Sequence, residues 1–247
     1  MKTKLILKAL AALLLLASPV AAAPCAETEF EGVTFTLCEV RAGEDLRLFH
    51  SDPAGDLLGS FGAVNDLLST EGKTLAFAMN AGMYHPDRRP VGLYIERGQQ
   101  LTPVITGGSA GNFGMLPNGV FCIAEDGFHI TDSRDFAANP RRCQYATQSG
   151  PLMVKQGQLH PRFIPGGDSR YIRNGVGVSA DGTRAVFAIS EDSVNFDTFG
   201  RMYRDHLGMP DALYFDGKVS RLFSPALGRS DLGLPMGPIV GLAVPAP

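Results

Sequence analysis

The chain has 247 residues, with 22 Lys and Arg against 25 Asp and Glu, and 45% of it is hydrophobic. That length supports one large domain with a real core. A mildly acidic chain without basic clusters excludes nucleic acid and anionic membrane surfaces as partners, so any anion must be gripped by a few well-placed groups.

Lys2, Lys4 and Lys8 precede a Leu-rich uncharged run from Ala9 to Ala17, and small residues follow in Ser18-Pro-Val-Ala-Ala-Ala23. This is the layout of a secretory signal peptide over residues 1–22, and its apolar run is too short to span a bilayer comfortably. Cleavage after Ala22 fits best, because Pro24 would follow directly on a cut after Ala23. Removal takes three lysines and no acid, leaving 225 residues with 19 bases against 25 acids, a net −6. The expected location is periplasmic or secreted, with residues 23–247 as a single domain and no transmembrane segment after cleavage. In an oxidising compartment four cysteines read as two disulfides. Proximity favours Cys25–Cys38 and Cys122–Cys143, although three pairings are formally open.

From Val33 onward the pattern is β-rich with repeated hairpin punctuation. Turns are predicted at Arg97-Gly98, Asp126-Gly127, Gln156-Gly157, Asp181-Gly182 and Asp216-Gly217, each between short apolar runs, because these residues accept positive φ. Two helices interrupt the series. Ser60 caps one with Phe61, Val64, Leu67 and Leu68 on one face, ending at Gly72. The other runs from Asn195 to Leu207, with Phe196, Phe199, Tyr203 and Leu207 at helical spacing and Gly208 as its stop. Residues 106–117 and 161–170 are glycine-rich loops of the kind that line a site beside a sheet rim. The predicted class is α+β, a mostly antiparallel or mixed sheet of successive hairpins with a few helices packed on it.

Three segments place polar residues and glycine at the ends of apolar strands. In Asn80-Ala-Gly-Met-Tyr84, Asn80 sits at a strand mouth and Gly82 allows close backbone approach. Arg173-Asn174 enters the strand that starts at Gly175, where a guanidinium suits bidentate capture of a carboxylate or phosphate. Asp216-Gly217 leads to Ser220, and Ser190-Glu191-Asp192 offers further carboxylates. The same Asp-Gly pair serves as an ordinary turn elsewhere in the chain, so it does not by itself mark a catalytic acid. There is no Gly-x-Ser-x-Gly, Walker-type loop, His-Glu-x-x-His or dinucleotide fingerprint.

Together with Ser149-Gly-Pro151, these segments resemble the phosphodiester glycosidase family, nearest its bacterial secreted branch through Pro90-Val-Gly-Leu-Tyr94, Pro117-Asn-Gly-Val-Phe121 and Ala146-Thr-Gln-Ser-Gly-Pro151. The resemblance spans roughly residues 75 to 240 and departs at two places. Ala81 replaces a glycine, and Lys218-Val219 replaces two, which narrows the room near Asp216. It implies hydrolysis of a sugar-1-phosphodiester by a secreted hydrolase. In that picture Arg173 and Ser220, with Ser149, hold phosphate oxygens, and Asn80 and Asn174 bind sugar hydroxyls. Gly82, Tyr84 and Gly217 border the substrate, and Asp216 with Glu191 does acid/base work. No cofactor is predicted, and the acidic residues near the site leave a divalent ion open. The alternative is a non-catalytic envelope protein that binds a glycan or glycopolymer phosphate with the same residues.

Overall fold

The computed structural model describes residues 24–217 and 219–247; the predicted signal segment lies outside these residues, as does Lys218. The chain begins with a hairpin of β1 (Cys25–Phe30) and β2 (Val33–Arg41), followed by β3 (Leu46–Phe49), α1 (Phe61–Ser69) and β4 (Lys73–Asn80). Next come β5 (Tyr94–Glu96), β6 (Gln99–Thr102), β7 (Gly119–Ala124), β8 (Gly127–Asp132) and α2 (Ser133–Ala138). Three short strands follow: β9 (Tyr145–Ser149), β10 (Leu152–Lys155) and β11 (Gln158–Leu159). The last third holds β12 (Asn174–Val178), β13 (Arg184–Ser190), α3 (Phe196–Arg201), β14 (Asp211–Asp216), β15 (Leu222–Ser224), β16 (Arg229–Ser230) and β17 (Ile239–Pro245).

The strands form three sheets. A seven-stranded sheet runs β1-β2-β13-β12-β14-β10-β11, and two five-stranded sheets run β16-β15-β4-β17-β3 and β6-β5-β9-β7-β8. All pairings within them are antiparallel, so the fold is α+β as the hairpin punctuation predicts. The sheets meet at an aromatic cluster to which each contributes. Phe121 of β7 packs edge-on against Phe187 of β13 at 5.7 Å and Phe215 of β14 at 6.4 Å, and Phe77 of β4 lies 5.6 Å from Phe187. All four are fully buried, and each contributes about 1.5–3 kcal/mol by leaving water.

Four of the five predicted turns close hairpins. Arg97-Gly98 and Gln156-Gly157 have positive φ at both residues, the two-residue turn that matches strand twist. The fifth is a correction. Asp216-Gly217 does not turn β14 back onto a partner, because β15 pairs with β4 and β16 in the second sheet. The chain crosses between sheets there, so Asp216 ends a strand at a sheet junction.

α1 matches its prediction: Ser60 Oγ accepts from the Ala63 amide at 3.1 Å, and Phe61, Val64 and Leu68 are buried. The second helix starts at the predicted Asn195 cap but is α-helical only to Arg201, then widens into a π-turn over Met202–His206. The wider turn sets two consecutive side chains, Met202 and Tyr203, into the core, and the Tyr203 hydroxyl accepts from the Ala188 amide at 3.1 Å. Both expected disulfides are present, Cys25–Cys38 across β1 and β2 and Cys122–Cys143 from β7 to the segment after α2. No helix among the described residues is long and apolar enough to cross a membrane.

Candidate active site

Strand alternation on β14 sets the site. Tyr214 and Asp216 are two residues apart and share a face, while Phe215 points the other way into the aromatic cluster. Gly175 faces Tyr214 and Asn174 faces Asp216, so Phe215 is an extra residue, a bulge at the strand end. A cavity of about 390 Å³ opens on the Tyr214–Asp216 face. Its wall consists of Met83, Tyr84, Gly111, Asn112, Ser169, Tyr171, Tyr214, Asp216 and Gly217. Both glycine-rich loops predicted to border a site therefore do so, through Gly111, Asn112 and Ser169. A Cβ on Gly217 would collide with the Tyr214 hydroxyl, so glycine there makes room for that phenol.

Burial raises the pKa of both phenols, and the Asp216 carboxylate adds to each rise. Tyr84 and Tyr214 are therefore neutral hydrogen-bond donors at pH 7. Behind the wall lies Arg173, fully buried. Its Nε donates to the Val194 carbonyl and its Nη2 to the Ser169 carbonyl, both at 2.8 Å. The guanidinium carbon sits 3.6 Å from the centre of the Phe196 ring and about 5.4 Å from those of Tyr214 and Tyr171. Burial holds the Arg173 pKa below its ordinary value. Among the described residues, Arg173 has no ion pair; its guanidinium interacts with the Tyr214 hydroxyl, to which the Asn112 side chain is a second partner.

Asn80 and Asn174 lie beneath this wall, and their amides are not free as the strand-mouth reading expects. Asn174 Nδ2 donates to the Asn80 carbonyl at 2.8 Å and to Asn80 Oδ1 at 3.1 Å. Asn174 Oδ1 accepts from the Asp216 amide at 3.1 Å, and Asn80 Oδ1 accepts from the Arg221 amide at 2.9 Å. Ser220 Oγ donates to the Asp216 carbonyl at 2.7 Å. The network joins β4, β12 and the crossover after β14. Asn80, Asn174, Asp216 and Ser220 thus come together, with the asparagines fully buried as ties and not as wall.

The remaining predicted residues fall in two groups. Ser149 Oγ donates to the Phe215 carbonyl at 2.8 Å, holding β9 against β14. A Cβ on Gly82 would collide with Thr147 Oγ1, so Gly82 admits a neighbouring strand. Glu191 is not brought to the cavity wall: it accepts from Arg229 at 2.5 Å and from Thr36 Oγ1 at 2.6 Å. Sequence reasoning singles out the segments that carry Met83 and Asn112 but not those two residues, misses Tyr171 and Tyr214, and places Phe196 only on a core face. The tyrosine beside an apolar strand end was the available signal. Among the described residues, no group of three or more His, Cys, Asp or Glu stands together as a metal site.

The phosphodiester glycosidase family model matches residues 73–224, more than half of the chain. An uncharacterized protein of Escherichia coli (strain K12), YigE, is 34% identical over 180 residues, covering 73% of this chain and 70% of that one. The catalytic domain of zebrafish N-acetylglucosamine-1-phosphodiester alpha-N-acetylglucosaminidase, auto-inhibited by its pro-peptide, has the same fold. It superposes with a TM-score of 0.61 over 88% of this chain and 81% of its own, at 13% identity. A protein of Burkholderia pseudomallei K96243 described as exported gives 0.50 over 87% and 74%, at 12% identity. Every residue of the Asn80, Ser149, Arg173 and Asp216–Ser220 segments that meets at the site lies within the matched span, and the chain belongs to the phosphodiester glycosidase family.

Proposed function

We propose that this protein hydrolyses a sugar-1-phosphodiester at the Asp216 cavity, in the periplasm or outside the cell. Water adds to the anomeric carbon, the C1–O bond breaks, and the second product leaves as a phosphate monoester. A phosphate monoester departs as an anion without prior protonation, so a single carboxylate suffices where most glycosidases need two. Asp216 takes the proton of the attacking water and returns it to solvent or to the departing phosphate. The neutral phenols of Tyr84 and Tyr214 donate to sugar or phosphate oxygens, and the charge of Arg173 behind them opposes the charge that develops on phosphate. Glu191 keeps its ion pair with Arg229 and takes no part.

The observation that carries this reading is Asp216 beside two neutral phenols, in front of a buried guanidinium without an ion pair. The two disulfides support an oxidising compartment. The test incubates the purified, disulfide-bonded protein and its Asp216→Asn variant with a panel of sugar-1-phosphodiesters, following free sugar. N-acetylglucosamine belongs in the panel because the zebrafish relative is named for it. Release by wild type, with at least a hundredfold loss in Asp216→Asn, is expected for removal of a catalytic base. Silence across the panel, with ligand bound equally by both proteins, would instead identify a glycan-binding protein.

A further inference from the structure

A second cavity of about 260 Å³ adjoins the first, and the two share Asn112 and Ser169 as a common wall. Together they fall within the size range of small-molecule sites, about 300–1,000 Å³. Their linings differ in chemistry. The first presents the Asp216 carboxylate and phenols, whereas the second has Met115, Phe163, Ile164 and Phe196 in its lining beside the polar Arg162, Asp168 and Asn195, and the greater part of its surface is apolar. Its buried amide, that of Asn195, is already spent: Oδ1 accepts from the Thr198 amide and Nδ2 donates to the Gly167 carbonyl. The four apolar side chains would cover an apolar group on the greater part of its surface.

Arg173 stands where the two cavities meet. Its guanidinium touches Ser169 of the shared wall, Phe196 of the second cavity and the Tyr171 and Tyr214 rings of the first. A phosphodiester has one phosphate with a group on either side, and its anion belongs beside the buried cation. With the sugar in the Asp216 cavity, the other ester group falls into the second cavity. Ile164 is 71% exposed at its rim, so a substitution there reaches the cavity without entering the core.

We propose that the second cavity is a leaving-group subsite for an apolar ester group, aryl or short alkyl, on the far side of the phosphodiester. The proposal rests on the hydrolytic reading, and its test separates the two. One sugar is joined through a 1-phosphodiester to phenyl, to hexyl or to methyl, and KM is compared for wild type and Ile164→Asp. That substitution is at an exposed position and leaves the packed core untouched. Binding of phenyl phosphate and methyl phosphate is titrated alongside by calorimetry.

Wild type is expected to have a phenyl or hexyl KM about tenfold or more below that of methyl, the range an apolar pocket supplies. Ile164→Asp is expected to bring that ratio toward one. Hydrolysis with equal KM for all three esters would overturn the subsite and leave the hydrolase standing. If no diester is cleaved, phenyl phosphate binding tightly and lost in Ile164→Asp would keep the subsite while removing the hydrolase. Phenyl phosphate bound no better than methyl phosphate would overturn the subsite in either case.

Discussion

Arg173 is an unusual place to put a cation. It is fully buried, two of its nitrogens are tied to main-chain carbonyls, and its guanidinium meets the Tyr214 hydroxyl, but among the described residues no carboxylate pairs with it. A buried charge without an opposite charge is costly enough to call for an explanation. The ring of Phe196 and the flanking tyrosines stabilise the charge without neutralising it. A phosphate on the cavity side of the wall would supply the opposite charge. Arg173→Met keeps most of the volume and apolar packing but removes the charge, so it separates the two roles. The expected result is a folded protein whose kcat falls about 10²–10³-fold, as for loss of a donor aimed at a developing anion. A folded Arg173→Met or Arg173→Ala with unchanged turnover would rule out the phosphate assignment.

At the scale of elements, what positions Asp216 is a seam between sheets. β4 ends at Asn80, β12 begins at Asn174, and the crossover after β14 is pinned to both by amide hydrogen bonds. Asn174→Ala would leave the Asp216 amide and the Asn80 carbonyl without partners, at roughly 1–3 kcal/mol for each stranded group. Thermal stability and kcat should fall together while KM changes little, because the loop bearing Asp216 loosens. A raised KM at unchanged melting temperature would instead show Asn174 gripping a sugar hydroxyl directly. The seam also explains what the sequence could disclose. Asn80, Asn174, Asp216 and Ser220 are legible because each ends an apolar run with a polar residue, a local signal. That Asp216-Gly217 is a crossover while Asp181-Gly182 is a turn depends on which strands pair beyond it, and no local pattern carries that information. Tyr214 is not legible for a related reason: the bulge at Phe215 and the glycine at 217 decide that it lines the cavity. Glu191 is a candidate acid through its place between a strand end and a helix and through the family resemblance; it pairs with Arg229, distant in sequence, and is not part of the cavity wall.

The molecule as a whole is three sheets around one shared aromatic cluster, and the two disulfides brace two of those sheets, with no cysteine in the cavity wall. Cys25–Cys38 closes 13 residues within the first sheet, and Cys122–Cys143 closes 21 beside the third. In the chain-entropy model loops of this size contribute roughly 3 kcal/mol each by restricting the unfolded chain. For a chain of this size that corresponds to a melting temperature higher by about 6–12 °C for each bridge. Because no cysteine lines the cavity, their loss should act on stability and spare the site. The double variant Cys122→Ser/Cys143→Ser, assayed well below its transition, should keep its KM and kcat while melting earlier by that amount. A lowered kcat in the folded variant would mean that the third sheet transmits its packing to Asp216, and the path is on hand. β7 pairs with β9, and Ser149 at the end of β9 holds the Phe215 carbonyl, one residue before the carboxylate.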